Sequence, residues 1–142
     1  MFGQGYTYRN TGRPQTRVQT PWLAAGLLTA IAAIHLITAP DNFNDALYKG
    51  VLFLAAAGGA LVAAGGLWRG ARWGWILGAA VAGSTLVGYF ISRTVGLPAL
   101  PVDPDWLEPL GAVSVVAEAL FLAQAVRALR PVRGEPPAVP AP

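Results

Sequence analysis

The sequence contains no cysteine, a single histidine and a single methionine. Without cysteine the chain has no disulfide framework, no thiolate zinc site, no iron–sulfur cluster and no thiol nucleophile. His35 is the one imidazole available to a metal or a haem. No serine, histidine and aspartate lie at one predicted depth beside an oxyanion donor, as a hydrolase would need. We therefore predict a protein that is not an enzyme and that holds no metal or other cofactor.

Charged residues are also scarce, whereas apolar residues are abundant. Of the 142 residues 12% are charged and 54% are apolar, and the mean hydropathy is +0.48. A soluble domain has about twice that charged fraction. A run of about 20 mostly apolar residues forms a helix that crosses a bilayer, and the sequence has four such runs, at 22–39, 51–68, 73–92 and 107–129. Because none alternates like a membrane strand, they predict an all-α fold, a four-helix transmembrane bundle over residues 21–130.

Basic residues are distributed unevenly about the four spans. Lys49 and Arg93 lie on one side of the predicted membrane, together with most of the acidic residues. The other eight basic residues all lie on the opposite side: Arg9, Arg13, Arg17, Arg69, Arg72, Arg127, Arg130 and Arg133. This positive-inside bias predicts that both termini are cytoplasmic, in a multi-pass protein of the bacterial cytoplasmic (inner) membrane. The same bias explains why basic residues outnumber acidic ones, so the net positive charge does not indicate nucleic-acid binding. We expect the lipid bilayer as a partner and no nucleic acid.

The segments outside the spans are polar or rich in proline. Residues 1–20 are mostly polar, and residues 131–142 include five prolines. Neither segment buries enough apolar surface to fold alone, which predicts two polar cytoplasmic tails. Tryptophan side chains prefer the membrane interface, and four of them fall at the predicted cytoplasmic boundary: Trp22, Trp68, Trp73 and Trp75.

Small residues are concentrated in the second and third spans. The second is rich in alanine and glycine between Ala55 and Gly66, and the third has Gly74 and Gly78 in a small-xxx-small step. In lipid, such residues let helix backbones approach closely. They indicate either packing of these two helices within the chain or a seam with another subunit. The short turn at 69–72 makes the two helices neighbours, which favours the first interpretation.

A carboxylate lies in the middle of the fourth span. Glu118 is about eleven residues from each end, where an ionised side chain is unfavourable by about 2.5–3.5 kcal/mol. His35 on the first span lies within about 5 Å of the same depth, so a His35–Glu118 pair supported by Ser84 or Thr85 is within geometric reach. The full set of predicted buried polar residues is His35, Glu118, Ser84, Thr85, Ser114 and Tyr89.

Two hypotheses explain this carboxylate. Glu118 is either a proton or cation carrier tuned by His35, or a hydrogen-bonded residue that specifies helix register or a subunit contact. A conduction path needs polar positions on both sides of Glu118, whereas the second span offers none and Gln124 alone follows on the cytoplasmic side. The sparse polar lining favours the structural hypothesis.

The longest connection between spans, residues 93–106, contains three prolines and is followed closely by acidic residues. Proline at this density stiffens a loop and prevents helix. The acids Asp103, Asp105 and Glu108 indicate either an outer cation or partner site, or capping of the fourth helix, whose N-terminal dipole favours anions. We favour capping, and we predict an outer-face ion pair of Arg93 with Glu108 or Asp105.

Two segments resemble a group of small uncharacterised bacterial membrane proteins with four helices. The segment from Ser92 to Pro98 reads SRTVGLP, and Glu108, Pro109 and Gly111 form an EP-x-G start to the fourth helix. His35 also lies near the end of the first span, as in that group. The resemblance covers about residues 22–128 and implies a shared outer-face structure, with no implied activity or cofactor.

These features predict a non-enzymatic small integral membrane protein. Ala- and Gly-rich helix faces, little soluble mass and two polar tails favour an accessory or structural subunit of a larger membrane assembly, with other membrane subunits or copies of itself as partners. The alternative is a small proton-coupled transporter or channel that uses Glu118 and His35. A further alternative is a quinone- or lipid-binding subunit of a redox complex, contacted through His35 and Tyr89.

Overall fold

The computed structural model describes residues 20–130, which form four α-helices and no strand. The helices are α1 (Pro21–Asp45), α2 (Leu47–Trp68), α3 (Arg72–Thr94) and α4 (Pro109–Leu129). All four are long and apolar enough to cross a membrane. This confirms the predicted all-helical fold with four candidate spans, consistent with a small integral membrane protein. The predicted tails, 1–20 and 131–142, lie outside the described residues apart from Thr20.

The helices form a ring in which each packs against its neighbours in the chain and α1 closes against α4. Short connections make consecutive helices antiparallel. Ala46 alone joins α1 to α2, and residues 95–108 join α3 to α4; we call this the loop end of the bundle. The opposite end, with Pro21, residues 69–71 and Leu129, is the turn end.

Helix α1 is longer than the sequence predicts. It continues through Pro40 to Asp45, and α2 begins at Leu47 rather than at 51. Proline removes one backbone hydrogen bond, but membrane helices tolerate it where neighbouring groups compensate. Here other contacts hold the turn after Pro40: Asn42 Nδ2 donates to the carbonyl of Thr38 (2.7 Å), and the Phe43 ring packs against Gly50 of α2. The predicted end at residue 39 was therefore wrong.

Small residues bring α2 and α3 together near the turn end. A Cβ added to Gly74 would lie 2.8 Å from the backbone nitrogen of Leu67 and 2.9 Å from the carbonyl oxygen of Ala63. Gly66 likewise faces the ring of Trp73, 2.8 Å from where its Cβ would be. Gly74 therefore serves packing of α2 against α3 within the chain, because any side chain at this position would collide with the backbone of α2.

Replacing Gly74 by alanine is expected to destabilise the bundle by about 1–3 kcal/mol, as overpacking does. The new methyl group meets backbone atoms that cannot rotate away, so α2 and α3 must separate. Gly83→Ala on the same helix is the matched control, since nothing lies within 4 Å of the added Cβ. Unfolding of both variants in SDS-containing mixed micelles checks this; equal stability of the two would contradict the close approach.

The half of the bundle nearer the turn end, which we call the turn half, is filled by the largest buried side chains. Phe121 is fully buried, and its ring stacks on Trp75 with centroids 5.9 Å apart. Leu28 packs against the same glycine, Gly78, that faces the Phe121 ring. Trp75 is therefore packed in the core, where Gly78 leaves room for an aromatic stack, and its predicted depth at the membrane interface stays a prediction. The other three interface tryptophans are exposed: Trp22, Trp68 and Trp73.

Candidate functional site

The half of the bundle nearer the loop end, which we call the loop half, contains a cavity of about 630 Å³ between all four helices. This volume is within the range of about 300–1,000 Å³ typical of small-molecule sites. Its polar lining follows helical spacing on three helices: His35, Thr38 and Asn42 on α1, Ser84, Thr85 and Ser92 on α3, and Ser114 and Glu118 on α4. Side chains three or four residues apart share a helix face, so each helix presents one polar stripe to the cavity.

Glu118 lies at the deep end of the cavity and is 2% exposed. The Ser114 hydroxyl, one turn earlier on α4, donates to Glu118 Oε1 (3.0 Å). The Thr85 hydroxyl of α3 lies nearby but donates to the backbone carbonyls of Val81 and Ala82 on its own helix (3.0 and 3.1 Å). Among residues 20–130, no cationic side chain pairs with this carboxyl group. A buried carboxylate of this kind normally has a partner, and here its protein partner is a hydroxyl group.

His35 lines the same cavity but has different partners. Its Nδ1–H donates to the carbonyl of Ile31 (2.9 Å), and its ring lies 5.1 Å from that of Phe53 on α2. This bond places the lone pair of the neutral imidazole on Nε2. In the part of the chain that the structure describes, no ion pair joins His35 to Glu118. The structure thus brings the two residues to one cavity without the expected pairing.

The other predicted buried polar residues differ in burial. Ser114 is buried as expected, whereas Thr85 and Tyr89 are half-buried and Ser84 is exposed. The Ser84 hydroxyl donates to the carbonyl of Val81 on its own helix (2.9 Å), which satisfies it without a neighbour. The prediction of burial was therefore wrong for Ser84, since it lies at the margin of the cavity rather than in the packed core.

Arg93 at the end of α3 is buried and pairs with Asp103, not with Asp105 or Glu108 as the sequence predicts. Its guanidinium also lies over the ring of Tyr89, 4.9 Å from the centroid. Partial burial alone would raise the pKa of Asp103, but the backbone N–H of Asp105 and the Arg93 charge outweigh it. Together they hold the pKa of Asp103 below its usual value.

Glu108 and Asp105 bind backbone N–H groups near the start of α4 and do not pair with Arg93. Glu108 caps α4, with its two carboxyl oxygens accepting from the N–H groups of Leu110 (3.1 Å) and Gly111 (2.6 Å). Asp105 accepts from the N–H of Leu107 (3.2 Å). The structure thus shows capping of α4 by Glu108, whereas Asp105 binds a backbone N–H in the turn before the helix and Asp103 pairs with Arg93.

Sequence reasoning missed the cavity and several residues that line it. The early start of α2 gives this helix a polar residue, Lys49, which bridges to Asp45 at 2.6 Å. Asp41 and Asn42 line the cavity because α1 continues past Pro40. The spacing of polar residues along α1, α3 and α4 was a signal that could have revealed the shared face.

The described residues contain no group of three or more His, Asp or Glu side chains placed to hold a metal ion. Comparison with protein-family models, with curated proteins and with solved structures found no match. The resemblance to small four-helix membrane proteins stays a prediction, and the cavity is the basis for a functional proposal.

Proposed function

We propose that this chain is a small integral membrane protein that binds an organic cation in its cavity, with Glu118 as the counter-ion. One observation supports the proposal above all others: a buried carboxyl group lies at the deep end of the cavity and has only a hydroxyl partner in residues 20–130. Ionised Glu118 without a cation is unfavourable in this environment. A bound cation supplies the missing charge.

The charges around the cavity also favour a cation. Five carboxyl groups line it, against two basic side chains: Asp41, Asp45, Asp103, Glu108 and Glu118, with Lys49 and Arg93. Both basic side chains are already paired with aspartates. Clefts lined by one sign of charge concentrate ions of the opposite sign, so the surplus of carboxylates attracts cations to the mouth and to the deep end.

The walls suit an ion with an apolar body. Ile34, Phe53 and Val115 line the cavity beside the polar stripes. Phe53 offers an aromatic face, which attracts cations as well as apolar groups. His35 Nε2 adds a hydrogen-bond acceptor rather than a donor. Mostly apolar walls with a few polar groups are typical of sites that bind small organic molecules.

Binding of octyltrimethylammonium to the protein in lipid nanodiscs tests the proposal, with empty nanodiscs as the blank for partitioning. Glu118→Gln is expected to weaken binding by about tenfold or more, which is about 1.4 kcal/mol. Glu118→Asp keeps the charge and should retain part of the affinity. The neutral amphiphile 1-octanol is the ligand control and should be insensitive to both changes. Equal octyltrimethylammonium affinity in Glu118→Gln and the native protein would refute the counter-ion role.

The three functions predicted from sequence compare differently with this geometry. Transport coupled to protons is a second candidate, because the cavity reaches Glu118. Beyond Glu118, toward the turn end, Phe121 and Leu28 fill the bundle, so the cavity does not continue through it in this structure. A quinone contact through Tyr89 is disfavoured, since its hydroxyl donates to the carbonyl of Trp106 (2.6 Å). An accessory role, subunit partners and the cytoplasmic placement of both termini stay predictions.

A further inference from the structure

The wall of the cavity is open on one side of the bundle. At its rim, near the loop end, the exposed lining residues are Asp41, Asp45 and Asp103. Deeper in the bundle the exposed lining residues all belong to two helices: Leu52 and Ala55 on α2, and Ser84 on α3. The lining residues that α1 and α4 contribute at this depth are buried or half-buried. The opening therefore faces sideways, between α2 and α3.

The two helices approach closely only toward the turn end. A Cβ added to Gly59 would lie 2.9 Å from Val81 Cγ2, and Gly74 is in contact with the backbone of α2. Toward the loop end, Gly88 lines the cavity and would have nothing within 4 Å of an added Cβ. The helices thus diverge beyond Val81. We call this opening, bounded by Leu52, Ala55, Ser84 and Gly88, the α2–α3 gap.

The loop end of the cavity is partly covered by the 95–108 connection, which leaves Asp41, Asp45 and Asp103 exposed at the rim. Tyr48 at the start of α2 donates its hydroxyl to the carbonyl of Pro98 (2.7 Å), which ties the loop to the α1–α2 hairpin. The N–H of Asp103 donates to the carbonyl of Ser92 (3.0 Å), which ties the same loop to α3. Leu97 and Asp103 of the loop line the cavity. A side opening below a tied loop favours access from the lipid phase over access from water.

We infer that the cation is an amphiphile dissolved in the bilayer, a quaternary ammonium or amine with an aliphatic chain, which enters through the α2–α3 gap. The ammonium group reaches Glu118 while the chain lies in the gap beside Leu52, Ala55 and Val81, which are apolar. This inference rests on the proposed function and deepens it: it names the chemical class of the ligand and its route. Apolar chain atoms gain from contact with such a wall in proportion to the area that they bury.

Filling the α2–α3 gap with a side chain tests whether the aliphatic chain of the bound ion lies there. Gly88→Leu places a side chain in the opening, and Gly83→Leu on the same helix is the matched control, because it has equal space but does not line the cavity. Equilibrium dialysis in nanodiscs compares octyltrimethylammonium with tetramethylammonium, which has the same charge and no chain. Gly88→Leu should weaken octyltrimethylammonium binding about tenfold and leave tetramethylammonium binding within about twofold. Gly83→Leu should change neither.

Each other outcome has a definite meaning. If Gly88→Leu weakens both ions alike, or neither, or if Gly83→Leu weakens the long-chain ion equally, the placement of the chain in the α2–α3 gap is overturned, and with it the lateral route inferred from that placement. The proposed function fails separately, when Glu118→Gln binds both ions like the native protein. Loss of both ions in Glu118→Gln with no effect of Gly88→Leu keeps the cation site and rejects the gap.

A second measurement does not depend on the folding of Gly88→Leu. Because the protein has no cysteine, Ser84→Cys and Gly83→Cys each introduce a single thiol. Bound octyltrimethylammonium should slow the reaction of a membrane-soluble maleimide with Ser84→Cys by about fivefold or more, as expected when the ion occupies the site most of the time. Gly83→Cys should react at the same rate with and without the ion. Equal rates at Ser84→Cys with saturating ion would overturn the lateral route.

Discussion

Replacing Phe121 by alanine is expected to destabilise the bundle by about 3–5 kcal/mol, the usual effect of truncating a fully buried phenylalanine. The ring is fully buried, stacks on Trp75 and fills the space that Gly78 leaves. Reversible unfolding in SDS-containing mixed micelles, followed by far-UV circular dichroism, measures the loss.

Leu120→Ala is the matched control for Phe121→Ala. Leu120 is adjacent in sequence and 53% exposed, so lipid replaces most of what its side chain contacts, and we expect a loss below about 1 kcal/mol. A similar loss in both variants would contradict a packed turn half. The void in Phe121→Ala is lined by apolar side chains such as Leu28 and Trp75, and such voids stay dry. The variant should therefore gain no ion conductance.

The helices could be predicted from sequence because the bilayer imposes a length on them. Three of the four apolar runs matched α2, α3 and α4 within four residues at each end. The error at α1 came from ending the first run at residue 39, just before Pro40. A proline stops a helix only where its lost hydrogen bond and ring are not accommodated, and here Asn42 and the contact with α2 hold the following turn. That information is tertiary and absent from any local window.

The site could be predicted only in part from the sequence, because its hydrogen bonds and ring contacts also depend on tertiary packing. Glu118 and His35 were identified because ionisable groups in a span are rare. Their partners were not, because each depends on how helices rotate about their axes: Glu118 meets hydroxyl groups and His35 meets Phe53. Likewise, Arg93 pairs with Asp103, while Glu108 caps α4. A choice among several nearby acids is decided by backbone geometry rather than by spacing.

The two halves of the bundle use residue size in different ways. Near the turn end, alanine and glycine let backbones approach, and a few large side chains such as Phe121 fill the remaining space. Near the loop end, the helices diverge and polar stripes line the opening that results. The close packing near the turn end keeps the helices apart near the loop end, since a cavity between helices needs rigid contacts elsewhere to avoid collapse. Glu118 lies where the two halves meet.

Replacing Glu118 by methionine is expected to stabilise the ligand-free protein by about 1–3 kcal/mol while abolishing cation binding. Replacing a buried ion pair by apolar residues of similar volume is often neutral or stabilising by about 1–4 kcal/mol. We expect the same sign for Glu118, which has no cationic partner among the described residues to leave behind. Glu118 is buried on all sides, and among the described residues the Ser114 hydroxyl is the one group seen to donate a hydrogen bond to it. The Thr85 hydroxyl already donates to backbone carbonyls of its own helix, so it loses little. Unfolding in mixed micelles without added cation measures the change.

The same variant separates the two hypotheses for this carboxylate. If Glu118 specified helix register through hydrogen bonds, Glu118→Met would lose stability, and Ser114→Ala, which removes its hydroxyl donor, would lose a comparable amount. A ligand-binding carboxylate predicts the reverse, a more stable protein that no longer binds, because functional sites commonly reduce stability. Added octyltrimethylammonium should raise the stability of the native protein and leave that of Glu118→Met unchanged, since a ligand stabilises only the folded state that binds it.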